Sequence, residues 1–147
     1  MRFIDIYYPH GQIEVSRFYR LPRTLAYLPE LCSLSSDAKL LYTLMLDRLG
    51  LSIQNAWYDA SGRIYIYFSI DEVQRQLNCS RQKAMRVLSE LDDKKGVGLI
   101  QRVKQGQGKP SRIYVRQIPD VEFSLETALE NLKKAQKLSS EAILQAV

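Results

Sequence analysis

Ser69-Ile70-Asp71-Glu72-Val73-Gln74-Arg75-Gln76-Leu77-Asn78-Cys79-Ser80-Arg81-Gln82-Lys83-Ala84-Met85-Arg86-Val87-Leu88-Ser89-Glu90-Leu91 decides the fold of this chain. Ser69 followed three residues later by Glu72 is a capping-box spacing, in which the serine bonds the Glu72 N–H and the glutamate reaches back, opening a helix through Val73 to Leu77. Asn78-Cys79-Ser80 is long enough only for a turn, and Ser80 is placed to cap a second helix from Arg81 to about Asp92. On that helix Ala84, Val87, Leu88 and Leu91 recur at i, i+3, i+4 and i+7, a narrow stripe that must face a core. Helix, three-residue turn, helix is the helix-turn-helix pattern. At about 100° per residue, Gln82, Arg86 and Ser89 lie opposite the stripe, flanked by Arg81 and Lys83. These residue types read base edges and grip phosphates. The bland alternative, a surface helix that happens to be basic, is opposed by the strands and loop downstream of it.

Two strands are predicted next, Leu99 to Lys104 and Arg112 to Ile118, joined by Gln105-Gly106-Gln107-Gly108-Lys109-Pro110-Ser111. Gly106-Gln107-Gly108-Lys109 superficially resembles a phosphate loop. However, Val103 stands where the first glycine belongs, and Pro110 where a magnesium-binding Ser or Thr is needed. The loop reads better as a wing, whose glycines allow close backbone approach to DNA. Lys104, Gln107, Lys109, Ser111 and Arg112 are then its candidate contacts. A plain hairpin loop is the alternative.

Toward the N-terminus, Ser35 or Ser36 can cap a long helix with Asp37 in its first turn and Ala38, Leu41, Tyr42, Met45 and Leu49 at helical spacing, ending near Gly50. Trp57 through Phe68 contains a turn signal between β-rich runs and predicts a hairpin, with Ile64, Ile66 and Phe68 on one face and Tyr65 and Tyr67 on the other. Its aromatic residues suit packing or a subunit interface better than a stacking platform for single strands. Leu21-Pro22-Arg23-Thr24-Leu25 suits a short helix, and Ile4 to Tyr8 and Val15 to Arg20 suit strands. From Ser124 onward Leu125, Ala128, Leu129, Leu132 and Ala135 predict an amphipathic helix, with a break at Ser139-Ser140. The expected fold is mainly helical α+β: a winged helix-turn-helix with extra N-terminal strands, a β-hairpin and a C-terminal helical tail. Residues 1–118 form the winged-helix DNA-binding domain with its N-terminal β extension, and residues 119–147 the helical tail.

The 147 residues fit one domain, and a chain 46% hydrophobic and 25% charged can fold unaided. The net charge of +5 is unevenly spread. Met1 to Ser80 is neutral, Arg81 to Arg116 carries +7, and the remainder −2. Such concentration is the electrostatic footprint of a nucleic-acid binder. With one histidine, His10, and with Cys32 and Cys79 at no metal-ligand spacing, metal-dependent strand cleavage has no ligand set, and the thiols are expected to be buried. No apolar run is long enough to span a membrane and the N-terminus lacks a secretory pattern, so a cytoplasmic location is expected.

Several blocks together, Phe18-Tyr19-Arg20-Leu21-Pro22, Leu34-Ser35-Ser36-Asp37-Ala38-Lys39-Leu40-Leu41-Tyr42, Leu46-Asp47-Arg48, Asp59 with Gly62-Arg63-Ile64-Tyr65-Ile66, Leu77-Asn78-Cys79-Ser80-Arg81-Gln82-Lys83-Ala84, Gly98-Leu99-Ile100 and Gln105 through Val115, resemble the N-terminal domain of the RepA_N family of plasmid replication initiators. The resemblance spans roughly Arg17 to Val115. It implies a winged-helix domain that binds double-stranded DNA at origin repeats, generally as a homodimer, with host replication proteins engaged through a separate C-terminal domain. Only a helical tail follows Val115 here, so a fragment of a longer initiator or a short relative is expected. The expected action is non-catalytic and needs no cofactor: Gln82 and Arg86 read bases, Ser80, Arg81 and Lys83 hold phosphates, and the wing touches the neighbouring minor groove or backbone. A winged-helix transcriptional regulator is the alternative, with the helix after Ser124 as its dimer element.

Overall fold

The computed structural model describes residues 18–118 and 125–145. The strand expected over Ile4 to Tyr8 lies outside them, as does the start of the one over Val15 to Arg20; Phe18 to Arg20 join no ladder. Two single-turn helices come first, α1 (Thr24–Tyr27) and α2 (Pro29–Cys32). Pro22 precedes α1 and its carbonyl accepts from the Leu25 N–H, while Pro29 occupies the first turn of the second helix, where its missing N–H costs nothing.

The long helix α3 (Ser36–Gln54) begins where its cap was expected: the Ser35 hydroxyl accepts from the Ala38 N–H at 3.1 Å. It does not end near Gly50. One exposed glycine costs a helix only about 1 kcal/mol. Beyond it Ser52 is wholly buried, and the turn closes only at Ala56, in the left-handed region at φ 54°. Ala38, Leu41, Tyr42 and Met45 of α3 form the middle of the core.

Helices α4 (Ile70–Leu77) and α5 (Arg81–Leu91) complete the helix-turn-helix, and Asn78 turns the chain at φ 49°. Val73 of α4 and all four stripe residues of α5 are buried against α3. Ser69 caps α4 through the Glu72 N–H as predicted. Glu72 does not complete a capping box, because its carboxylate turns to Arg48 at 2.9 Å, a charged partner on α3.

Strands β1 (Ile100–Val103) and β2 (Arg112–Val115) pair antiparallel, Ile100 opposite Val115 and Val103 opposite Arg112, and are shorter than predicted. The hairpin expected over Trp57 to Phe68 forms only as a short turn-back, with the Asp59 N–H donating to the Arg63 carbonyl and the Tyr65 N–H to that of Trp57. Asp59 accepts the N–H groups of Ser61 and Arg63, which hold its carboxyl below the usual range, the Arg63 bond foremost. This closes so tight a turn that only Tyr58 and Ile64 bridge. The chain then crosses to β2, where Ile66 and Ile113 exchange both backbone bonds at 2.8 and 2.9 Å. Ile66 therefore acts as a one-residue third strand of the wing sheet, and this long-range pairing buries Tyr65 as well as Ile66 and Phe68.

Helix α6 (Leu125–Gln145) runs unbroken through Ser139-Ser140 and contacts α1 and α2. Serine is only a mild helix breaker, and neither Gly nor Pro stands there. Cys32 and Cys79 are half-buried rather than buried. Among the described residues no helix is long and apolar enough to cross a membrane.

Candidate nucleic-acid interface

Helix α5 is held at both ends. The Ser80 hydroxyl accepts from the Lys83 N–H at 3.2 Å, so Ser80 is the predicted cap and remains exposed. At the other end Glu90 reaches α3, where its carboxylate accepts the Ser35 N–H at 2.9 Å and the Ser35 hydroxyl at 2.6 Å. One acid thus satisfies an orphan donor of α3 and fixes the direction of α5. The turn after α5 is equally constrained: Gly96 and Gly98 donate to the Asp92 carbonyl and Val97 to that of Glu90. A Cβ on Gly96 would meet the Glu90 carbonyl oxygen at 2.0 Å, so no side chain fits there.

The solvent face of α5 divides into a centre and two margins. Gln82 and Arg86 are exposed and make no hydrogen bond or ion pair among the described residues. Ser89 is half-buried, and its hydroxyl donates back to the Met85 carbonyl at 2.9 Å, leaving it as an acceptor. Met85, 49% exposed on the same face, is not among the expected contacts, although it sits three residues from Gln82 and four from Ser89. The margins carry two of the three phosphate contacts predicted on this helix, both paired within the protein. Lys83 Nζ lies 3.0 Å from Asp37 in the first turn of α3, and Arg81 3.8 Å from Asp71 in the first turn of α4.

The wing has a braced base and an open tip. Gln105 donates to the Pro110 carbonyl at 2.8 Å and to the Tyr67 hydroxyl at 3.3 Å, and accepts from Arg112 Nε at 3.0 Å. The Arg112 guanidinium lies 4.4 Å above the Tyr65 ring, a cation–π contact that draws it inward. Trp57, Tyr65, Tyr67 and Tyr114 meet edge to face at 5.2 to 6.2 Å, a packed cluster that brings no ring into a shared stacking plane. Beyond this base Lys104, Gln107 and Lys109 are exposed, and Gly106 and Gly108 take φ values of 121° and 78° that favour glycine. Ser111 is half-buried beside β1.

Two ion pairs tie the end of α5 to the wing strands among the described residues, Arg116 with Asp93 at 3.3 Å and a tighter one between Arg102 and Asp92. Arg102 of β1 donates through Nε and Nη2 to one oxygen of Asp92, the C-cap of α5, at 3.0 and 2.6 Å. Asp92 is 5% exposed. Burial pushes its carboxyl up, yet the hydrogen bonds of Arg102, with Asp93, the Arg102 charge and the Lys94 N–H behind them, outweigh that and hold it below the usual carboxylate value.

Residues 17–143 match the family described as replication initiator protein A (RepA) N-terminus. A 41 kDa protein of Lactobacillus helveticus is 34% identical over 116 residues, covering 75% of this chain and 32% of that protein. The chain therefore spans about a third of that relative's length. Among solved structures, an N-terminal domain of a DNA binding protein superposes with a TM-score of 0.63 at 25% identity, covering 90% of this chain and 98% of the other. A Rep-DNA complex gives 0.63 at 26% identity over 89% and 97%. An initiator described as MDR gives 0.59 at 28% over 86% and 98%.

Proposed function

Since the chain belongs to the RepA_N family of replication initiators, we propose that its helix-turn-helix and wing bind duplex DNA at the replication origin of a plasmid or mobile element. The observation that carries this reading is the unpartnered Gln82 and Arg86 on the exposed centre of α5, beside a glycine-hinged basic loop. A helix of this diameter fits a major groove, where an arginine can bond guanine and a glutamine adenine in bidentate fashion. Ser80, at the α5 N-terminus, faces a phosphate. Lys104, Gln107 and Lys109 follow the adjacent minor groove or backbone, with Ser111 at the margin. Arg112, stacked on Tyr65, serves mainly to aim the loop. The role is non-catalytic, requires no cofactor and belongs to the cytoplasm.

Binding as a homodimer is supported by exposed apolar side chains at Tyr19 and Leu21 and on α6 at Leu129, Leu132, Leu138 and Leu144. A solution mass that stays monomeric at all concentrations, with and without DNA, would remove the dimer. The exposed leucines of α6 favour the second reading, a transcriptional regulator dimerising through that helix. Footprinting of the purified chain on DNA within and around its own coding region separates the two. Protected direct repeats support the initiator; protection of an operator over a promoter supports the regulator. Host replication proteins are assigned no contact on the described residues.

A further inference from the structure

We propose that Asp37 and Asp71 are specificity-determining residues, which pair with the flanking cations of the recognition helix at the protein surface and so suppress its attraction for DNA of unrelated sequence. This rests on the DNA-binding reading above. Both carboxylates stand two residues past a serine cap, Asp37 after Ser35 in the opening turn of α3 and Asp71 after Ser69 in that of α4. Both reach cations in the first turn of α5, Lys83 at 3.0 Å and Arg81 at 3.8 Å. The two pairs bracket Gln82 and Arg86, which face solvent between them without partners among the described residues.

Non-specific affinity for DNA comes from cations that displace counterions from phosphates. A lysine already paired with a carboxylate contributes little, because a phosphate must displace the carboxylate and then tolerate it as a neighbour. The base-reading groups at the centre meet no such obstacle. The arrangement therefore lowers the sequence-independent component of binding while leaving base contacts available. Lys104, Lys109 and Arg86 have no ion-pair partner among the described residues, so charge for phosphates comes from the wing and the helix centre. The tighter pair, Lys83 with Asp37, carries the larger effect.

The test measures affinity of the full chain for a short random-sequence duplex as a function of salt, in a double-mutant cycle. In Asp37→Asn the log–log salt slope should steepen by about 0.9, the value of one added phosphate contact. Lys83→Gln alone should leave the slope nearly unchanged, and Asp37→Asn with Lys83→Gln should restore the wild-type slope. Asp71→Asn should give a smaller steepening that Arg81→Gln reverses. For duplexes recovered by selection from a random library, Asp37→Asn should narrow the preference over random DNA several-fold. An unchanged slope in Asp37→Asn overturns the proposal, as does steepening that persists in the double variant, which would mark simple loss of long-range repulsion. A melting curve checks the fold of each variant. If Asp37→Asn does not fold, Lys83→Gln still decides, because a slope reduced by about 0.9 would show an unpaired phosphate contact. Wild-type protein with no salt-dependent affinity for any duplex would instead refute the DNA-binding reading itself.

Discussion

Helix α5 and the wing carry the same sign of charge and are built in opposite ways. The helix is fixed along its whole length, with four buried side chains, a serine cap at one end and a glutamate tie to α3 at the other. The wing is fixed only at its base, where Gln105 joins Tyr67, Pro110 and Arg112, and its tip turns on two glycines. Reading base edges requires side chains held to fractions of an ångström, whereas neutralising phosphates requires only charge within reach. The charges follow the same division: the helix margins are paired internally, and the wing cations Lys104 and Lys109 have no ion-pair partner among the described residues.

The largest effect should come from cutting the tighter of the two ion pairs between the regions. Arg102→Met strands the buried Asp92 carboxylate and should lower unfolding free energy by about 3–5 kcal/mol, read by denaturant titration. Wild-type Asp92 has a folded pKa below its unfolded value of about 3.9. Its contribution is thus present above that unfolded value and lost as pH falls through the folded one, and the acid limb of the stability curve should be shallower in Arg102→Met.

Next, Arg86→Ala should cost about 1–3 kcal/mol on selected duplexes and relax preference at one base pair. Equal losses on selected and scrambled duplexes would remove the base-reading role of the helix and erase the contrast with the wing. Gln105→Ala removes three hydrogen bonds at the wing base, all partly exposed, and should lower stability by about 1 kcal/mol. Its DNA affinity should fall with no change in base preference, as the loop loses its aim. Lys109→Ala is the mildest: binding to all sequences should weaken alike, with the salt slope flatter by about 0.9.

Legibility tracks the range of the interactions. The caps at Ser35, Ser69 and Ser80 and the stripe on α5 are readable because each depends on residues three to seven apart on one helix. Glu90 with Ser35, 55 residues apart, leaves no local signal, nor does Lys83 with Asp37 or Ile66 with Ile113. Gly50 misleads because a local penalty of about 1 kcal/mol looks decisive without the packing of Leu46 and Leu49 against the core and the burial of Ser52. The candidate site is legible as a set of residue types. Which of them are free is not, because Arg81, Lys83 and Arg112 differ from Arg86 only in what other segments bring beside them.

The order of the helix-turn-helix and wing elements, the inward face of the recognition helix and the concentration of charge between Arg81 and Arg116 were determined by the sequence alone, since periodicity, capping and composition are local properties. Tertiary structure decided that Ile66 completes the wing sheet, that Asp92 and Arg102 lock wing to helix, and that two acids neutralise the helix margins. Each of these depends on distances between residues far apart in the chain, and such distances exist only once the core has closed around α3.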